Sequence, residues 1–217
     1  AVTSGRSALA PFGITLGVWL VTGAATELWT RAGRGDLSGK LRRLSNLPRA
    51  DWGKAVSHAG LGITFIGVAA LTAYTVEDIR VAKPGESYTV GRYEVTLNAV
   101  RQVEGPNYLS TMAEIDLARD GAPIATLLPE KRVYPVAGMP TTEASILNGV
   151  FRDLYVVIGD PQQGGGWAVR VFIKPFANWI WAGCIIMALG GFLSLSDRRT
   201  RVAGGARTRP NAAVPAE

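Results

Sequence analysis

The amino-acid sequence predicts an integral membrane α-helical protein: three transmembrane helices with one small β-rich domain outside the bilayer. Three observations carry this. Apolar residues gather in three blocks of about 20, the length a helix needs to cross about 30 Å of hydrocarbon. Lys and Arg gather between the first two blocks and after the third. The long segment between blocks two and three alternates apolar and polar residues between turn signals, the period of half-buried strands.

Taken in order, residues 1–7 form a short N-terminal flank. The first span is expected over 8–29 (ALAPFGITLGVWLVTGAATELW), with Pro11 near its start and Glu27 near its far end. A basic loop covers 30–52. The second span is expected over 53–75 and carries His58, the single histidine of the 217 residues. Lys54 sits at its edge, where a long side chain can reach the headgroups. The β-rich domain is expected over 76–175. The third span, over 176–195, contains no charge. The tail, 196–217, is rich in Ala, Gly, Pro and Arg and reads as disordered. Small residues recur in all three spans, as in helices that pack closely within a bilayer. Three buried helices of a large soluble protein would be the alternative, but continuous apolarity at this length favours the membrane.

Charge sets the orientation. The first loop holds Arg31, Arg34, Lys40, Arg42, Arg43, Arg49 and Lys54 against Asp36 and Asp51 only. The tail holds Arg198, Arg199, Arg201, Arg207 and Arg209, whereas 76–175 has ten Lys/Arg against twelve Asp/Glu. The positive-inside rule therefore puts the loop and the tail in the cytoplasm and 76–175 outside. Trp29, Trp52, Trp179 and Trp181 fall where interfacial anchors belong. The basic loop reads as a topology signal with membrane lipid as its neighbour; no nucleic-acid motif accompanies it.

The outer segment offers two hairpins, around Gly91-Arg92 and Asp120-Gly121, and two more strands joined by a Gly-rich turn at 161–166. A small barrel or sandwich follows. With no histidine and no cysteine, this segment holds neither a Cys/His nucleophile nor the usual zinc ligands. Glu130, Lys131, Arg132, Tyr134 and Glu143 are its singled-out polar residues, and a solvated charged face explains them as well as a site does. Cys184 is alone in the third span, so no disulfide forms within the chain. No C-x-x-C-H is present.

His58 stands among small apolar residues. An ionisable side chain inside a span points to function. A neutral imidazole suits haem iron, and Gly60 and Gly62 leave room for a flat ring system or a neighbouring helix. A histidine bonded across a helix interface is the competing reading. A proton relay would need further ionisable groups, of which Glu27 is the one at hand.

Several motifs occur together and in order: HAGLGIT (58–64), VAKPGE (81–86), GPNY (105–108), PEKRVYP (129–135), TEA (142–144), RDLYVVIGD (152–160), WAVRVFIKPF (167–176) and WIWAGCIIMALGG (179–191) closing on SDRR. Over roughly residues 50–200 the chain resembles the C-terminal part of the CcmF/CycK/NrfE-like family of cytochrome c maturation. The resemblance implies a haem-lyase subunit in the bacterial inner membrane, supporting attachment of reduced haem to the CxxCH cysteines of apocytochrome c. It implies haem b as cofactor, with His58 as one of two axial histidines. It implies as partners the rest of CcmF, the haem chaperone CcmE, and apocytochrome c with its CcmH/CcmI-type carriers. Within this family Glu130, Lys131, Arg132, Tyr134 and Glu143 become candidates for a periplasmic contact. The family's tryptophan-rich haem segment, its periplasmic histidines and its second membrane histidine are not in this sequence. The chain is therefore expected to be one portion of a longer protein, not catalytic alone. A membrane-anchored scaffold with a structural His58 is the alternative. A transporter is disfavoured by the want of an inverted repeat.

Overall fold

The computed structural model describes residues 2–3, 9–136 and 138–197. The expected tail from residue 198 and the flank outside residues 2–3 lie outside the described residues. In chain order the elements are β1 (Val2–Thr3), α1 (Ala10–Arg31), α2 (Leu37–Ser45), α3 (Arg49–Tyr74), β2 (Val76–Ala82), β3 (Ser87–Val90), β4 (Tyr93–Glu104), β5 (Leu109–Arg119), β6 (Ala122–Leu127), β7 (Glu130–Tyr134), β8 (Met139–Glu143), β9 (Ser145–Leu147), β10 (Arg152–Gln162), β11 (Gly166–Pro175) and α4 (Ala177–Leu195). The chain divides into two compact units, Ala1–Gly13 with Gly67–Trp179 and Ile14–Ile66 with Ile180–Glu217.

The first unit is built on a β-sandwich. One antiparallel sheet runs β1-β2-β11-β10-β9; the other runs β3-β4-β5-β7-β8, with β6 also on β5. Period-two alternation sends Tyr93, Val95 and Leu97 of β4, Ala113, Ile115 and Leu117 of β5, Leu154, Val156 and Ile158 of β10, and Val169, Val171 and Ile173 of β11 into one shared core. Burying each large side chain contributes roughly 1.5–3 kcal/mol. The turns are those the sequence signals. Asp120 and Gly121 both take positive φ, 52° and 79°, which two-residue hairpins demand because that twist matches the strands.

A second feature of this unit is a tie at its chain ends. The carboxylate of Asp153 is buried and accepts from the Gly149 backbone N–H and from Nδ2 of Asn178, both at 2.9 Å. Trp179 donates its indole N–H to the Val150 carbonyl at 2.9 Å. The first turn of α4 is thus fastened to the loop before β10.

The second unit is helical. α1, α3 and α4 are each long and apolar enough to cross a membrane. Here α3 packs on two sides through glycines. A Cβ on Gly60 would come within 2.7 Å of the Gly183 carbonyl and 2.6 Å of Met187 N; one on Gly190 would come within 2.7 Å of the Gly53 carbonyl. The seven-residue spacing of Gly53/Gly60 and Gly183/Gly190 makes this a seam between α3 and α4 in which backbones touch. Gly17 and Gly62 make the same approach between α1 and α3, each with its absent Cβ 2.6 Å from the other's carbonyl.

The basic loop holds a helix that its cations concealed. Asp36 caps α2, accepting from Gly39 N at 3.2 Å. Arg43 turns back to donate to the carbonyls of Ala32, at 2.5 Å, and Arg34, at 2.8 Å. It thereby fastens α2 to the turn that follows α1.

Candidate functional site

His58 lies on α3 one helical turn before Gly62, beside the seam with α1. It is exposed, and shares its face of the helix with Phe65, two helical turns on. Its Nδ1 is 2.8 Å from the Lys54 carbonyl oxygen. A carbonyl only accepts, so in the neutral ring Nδ1 carries the proton and Nε2 keeps its lone pair. Fixing one nitrogen by a backbone carbonyl is the arrangement that orients metal-ligating imidazoles. The donor set therefore fits an iron ligand. His58 is the single histidine of the 217 residues, so the chain offers one imidazole.

Beside His58 in sequence, four charges pair across α1 and α3. Lys54 Nζ and Arg31 both meet the Glu27 carboxylate, and Arg31 also reaches Asp51 at 2.9 Å. Glu27 is therefore paired with two cations. The Glu27/Arg31 pair has the four-residue spacing of facing helix neighbours, and that signal was available in the sequence.

The candidates of the β-domain fall on one strand ribbon. Glu130, Arg132 and Tyr134 alternate along β7, and β8 places Glu143 opposite Glu130 and Thr141 opposite Arg132. Glu130 accepts from Arg132 Nε at 2.8 Å and from Ser110 Oγ at 2.9 Å. The Arg132 guanidinium lies 4.5 Å over the ring of Tyr108, which meets Tyr134 edge to face at 5.6 Å. Arg132 holds the Glu130 carboxyl below the usual carboxylate range, against burial; the same pairing raises the Arg132 pKa, with Tyr134 as second cause. Lys131 points from the opposite face of β7 and pairs with Asp160 of β10. Glu143 is exposed. The structure thus assembles Glu130, Arg132 and Tyr134, adds Tyr108 and Ser110, and leaves Lys131 and Glu143 out of the cluster. Tyr108 closes the GPNY motif, which is the signal that could have nominated it.

The class these features define is an integral membrane protein with an antiparallel β-sandwich inserted between its second and third spans. The comparisons with known proteins specify the family. A family model described as the CcmF C-terminal beta-sandwich matches residues 73–175. The chain is 57% identical over 206 residues, 95% of its length, to the cytochrome c-type biogenesis protein ccl1 of Rhodobacter capsulatus, of which it covers 31%. It is 43% identical to the cytochrome c-type biogenesis protein CycK of Rhizobium meliloti, over 95% of this chain and 31% of that one. The solved structure of a protein titled Cytochrome c Heme Lyase CcmF shares the fold, with a TM-score of 0.60 at 17% identity over 87% of this chain and 39% of the other. The chain belongs to the CcmF family of cytochrome c biogenesis proteins and corresponds to its C-terminal part. It spans about a third of the length of the curated relatives it matches.

Proposed function

We propose that this chain is the part of a cytochrome c haem lyase that supplies one axial ligand, His58 Nε2, to a membrane haem b. The observation that carries the reading is the exposed imidazole with Nδ1 committed to the Lys54 carbonyl and Nε2 bare. A b-type haem held there would supply electrons that keep the haem destined for apocytochrome c reduced. The chain's own part is to orient the ligand: the Lys54 carbonyl fixes the tautomer, and the glycine seams hold α3 against α1 and α4 while His58 and Phe65 stay exposed. The rest of CcmF brings the second histidine. In this reading the membrane is the bacterial inner membrane, the basic loop with α2 is cytoplasmic, and the sandwich is periplasmic.

An optical spectrum of the purified full-length protein tests it, wild type against His58→Ala, oxidised and reduced. Loss of the b-type bands in the variant, restored by added imidazole, is the expected result. An unchanged spectrum would leave His58 a packing residue and sink the reading.

The sandwich is proposed as the docking module for the haem chaperone, apocytochrome c or its carriers. The pre-ordered Tyr108, Glu130, Arg132 and Tyr134 cluster supports this. Arg132→Glu in the full-length protein should reduce capture of those partners at least tenfold; undiminished capture of all of them refutes the assignment.

A further inference from the structure

Both sheets of the sandwich bring strand ends to the place where two membrane helices begin and end. β2 opens at Val76, two residues after Tyr74 closes α3, and β11 closes at Pro175, two residues before α4. Arg152, the first residue of β10, is the ladder partner of Pro175. The turns at Gly91-Arg92 and Asp120-Gly121 reach one common end of the second sheet, because Tyr93 pairs with Arg119.

A cavity of about 500 Å³ opens among these ends, lined by Tyr74, Arg92, Tyr93, Phe151, Arg152 and Phe176 with smaller apolar neighbours. No carboxylate lines it. The nearby acid Asp120 is 3.7 Å from Arg92 and 3.6 Å from Arg119, so one carboxylate faces two guanidiniums. Arg152 has no ion pair within 4.0 Å among the described residues. This end of the sandwich therefore carries unneutralised positive charge.

The apolar part is equally specific. Phe151 and Tyr74 are 59% and 50% exposed, an unusual exposure for large rings in water. Phe176 is held at φ +56°, a conformation costly for a bulky residue, by its N–H bond to the Phe151 carbonyl at 2.9 Å and by the ring of Trp179 at 4.9 Å. The fold spends strain to keep an aromatic at this rim. Rings and cations together, at the level where helices leave hydrocarbon, match the chemistry of the headgroup zone. A guanidinium offers paired N–H donors in the geometry of a phosphate.

We propose that this cavity binds an anionic membrane phospholipid. Arg92 and Arg152 take the phosphodiester, and Tyr74, Phe151 and Phe176 lie against the glycerol and the upper acyl chain. The lipid would pin the loop before β10, already tied by Asp153 to the start of α4, at a fixed depth. The inference rests on the membrane-spanning reading of α3 and α4 and is independent of the haem reading, so loss or survival of a haem spectrum does not bear on it.

Native mass spectrometry of the delipidated full-length protein, titrated with phosphatidylglycerol or phosphatidylcholine, tests it. We expect one saturable phosphatidylglycerol adduct, at least tenfold tighter than phosphatidylcholine. Arg92→Gln/Arg152→Gln should weaken it at least tenfold, and Phe151→Ser severalfold. Inorganic phosphate in hundredfold excess should not displace the lipid. Equal binding of the two lipids, unchanged binding by the variants, or displacement by phosphate would each overturn the proposal. Should the double variant fail to fold, Phe151→Ser and the ratio between the two lipids decide alone.

Discussion

The sandwich hides its large apolar residues, and the helical unit hides its small ones. In the sandwich Leu97, Ile115, Leu117, Leu154 and Ile158 are fully buried. In the helical unit the buried positions include Gly17, Ala24, Ala32, Gly53, Ala55, Gly60, Gly62, Gly183 and Gly190, with Asp197 the buried polar one among the described residues, while Trp19, Trp181, Ile185, Leu189 and Phe192 all face outward. The contrast follows from the solvent. Water drives large side chains inward, whereas lipid tails are as apolar as leucine, so close backbone packing decides which residues meet. The sandwich therefore has a core of its own. The helical unit has an outer surface made for other apolar matter, and His58 stands on that surface.

The comparison breaks most violently at the α3–α4 seam. Gly183→Leu or Gly60→Leu puts a side chain where backbone atoms of the other helix already lie. Such a clash has no flexible neighbour to yield, so the cost exceeds the ~1–3 kcal/mol of ordinary overpacking. Full-length protein carrying either change should be recovered from membranes at less than a tenth of the wild-type level. Normal recovery with an unaltered melting temperature would show that the seam is not what holds these helices.

A matched pair of substitutions sharpens the same contrast at intermediate size. Ile115→Ala empties part of the sandwich core and should cost about 2–5 kcal/mol. Ile185→Ala removes the same atoms from an outward face of α4 and should change stability by about 0.5 kcal/mol or less. Thermal denaturation of both variants in one detergent measures the difference. Similar losses at the two positions would mean that the exposed face of α4 is packed against protein rather than lipid.

How much of this was legible in the sequence depended on whether the signal was local. The fold class was: three uninterrupted apolar blocks, and hairpin turns at Gly91-Arg92 and Asp120-Gly121 whose backbone demands few residues meet. α2 was not, because nine residues dominated by Lys40, Arg42 and Arg43 read as charge before they read as a helix, although Asp36-Leu37-Ser38-Gly39 holds a cap. β7 was obscured in the same way. Glu130, Lys131 and Arg132 look like one solvated run, yet alternation sends Glu130 and Arg132 to one face and Lys131 to the other. At His58 the residue type was legible and the geometry was not. Which nitrogen is free depends on the carbonyl one turn back, and which face is open depends on where two other helices lie.

The smallest expected effect concerns the Glu130–Arg132 pair of the sandwich. Arg132 lowers the Glu130 pKa from its ordinary value of 4.5, with burial opposing and Ser110 assisting. A carboxyl whose pKa is depressed on folding contributes stability above its unfolded pKa. That contribution disappears as pH falls through the lower, folded value. Wild-type melting temperature should therefore drop more steeply than that of Glu130→Gln as pH is taken below 4.5, while the difference between the two stays constant above it. The effect is confined to acid because Glu130 is fully ionised near neutrality. The cluster is thus fixed in one charge state at working pH, with Arg132 presenting the same donors throughout, as a docking element requires and a titrating catalyst does not. Parallel curves for the two proteins below pH 4.5 would show that Arg132 and Glu130 are neighbours without being partners.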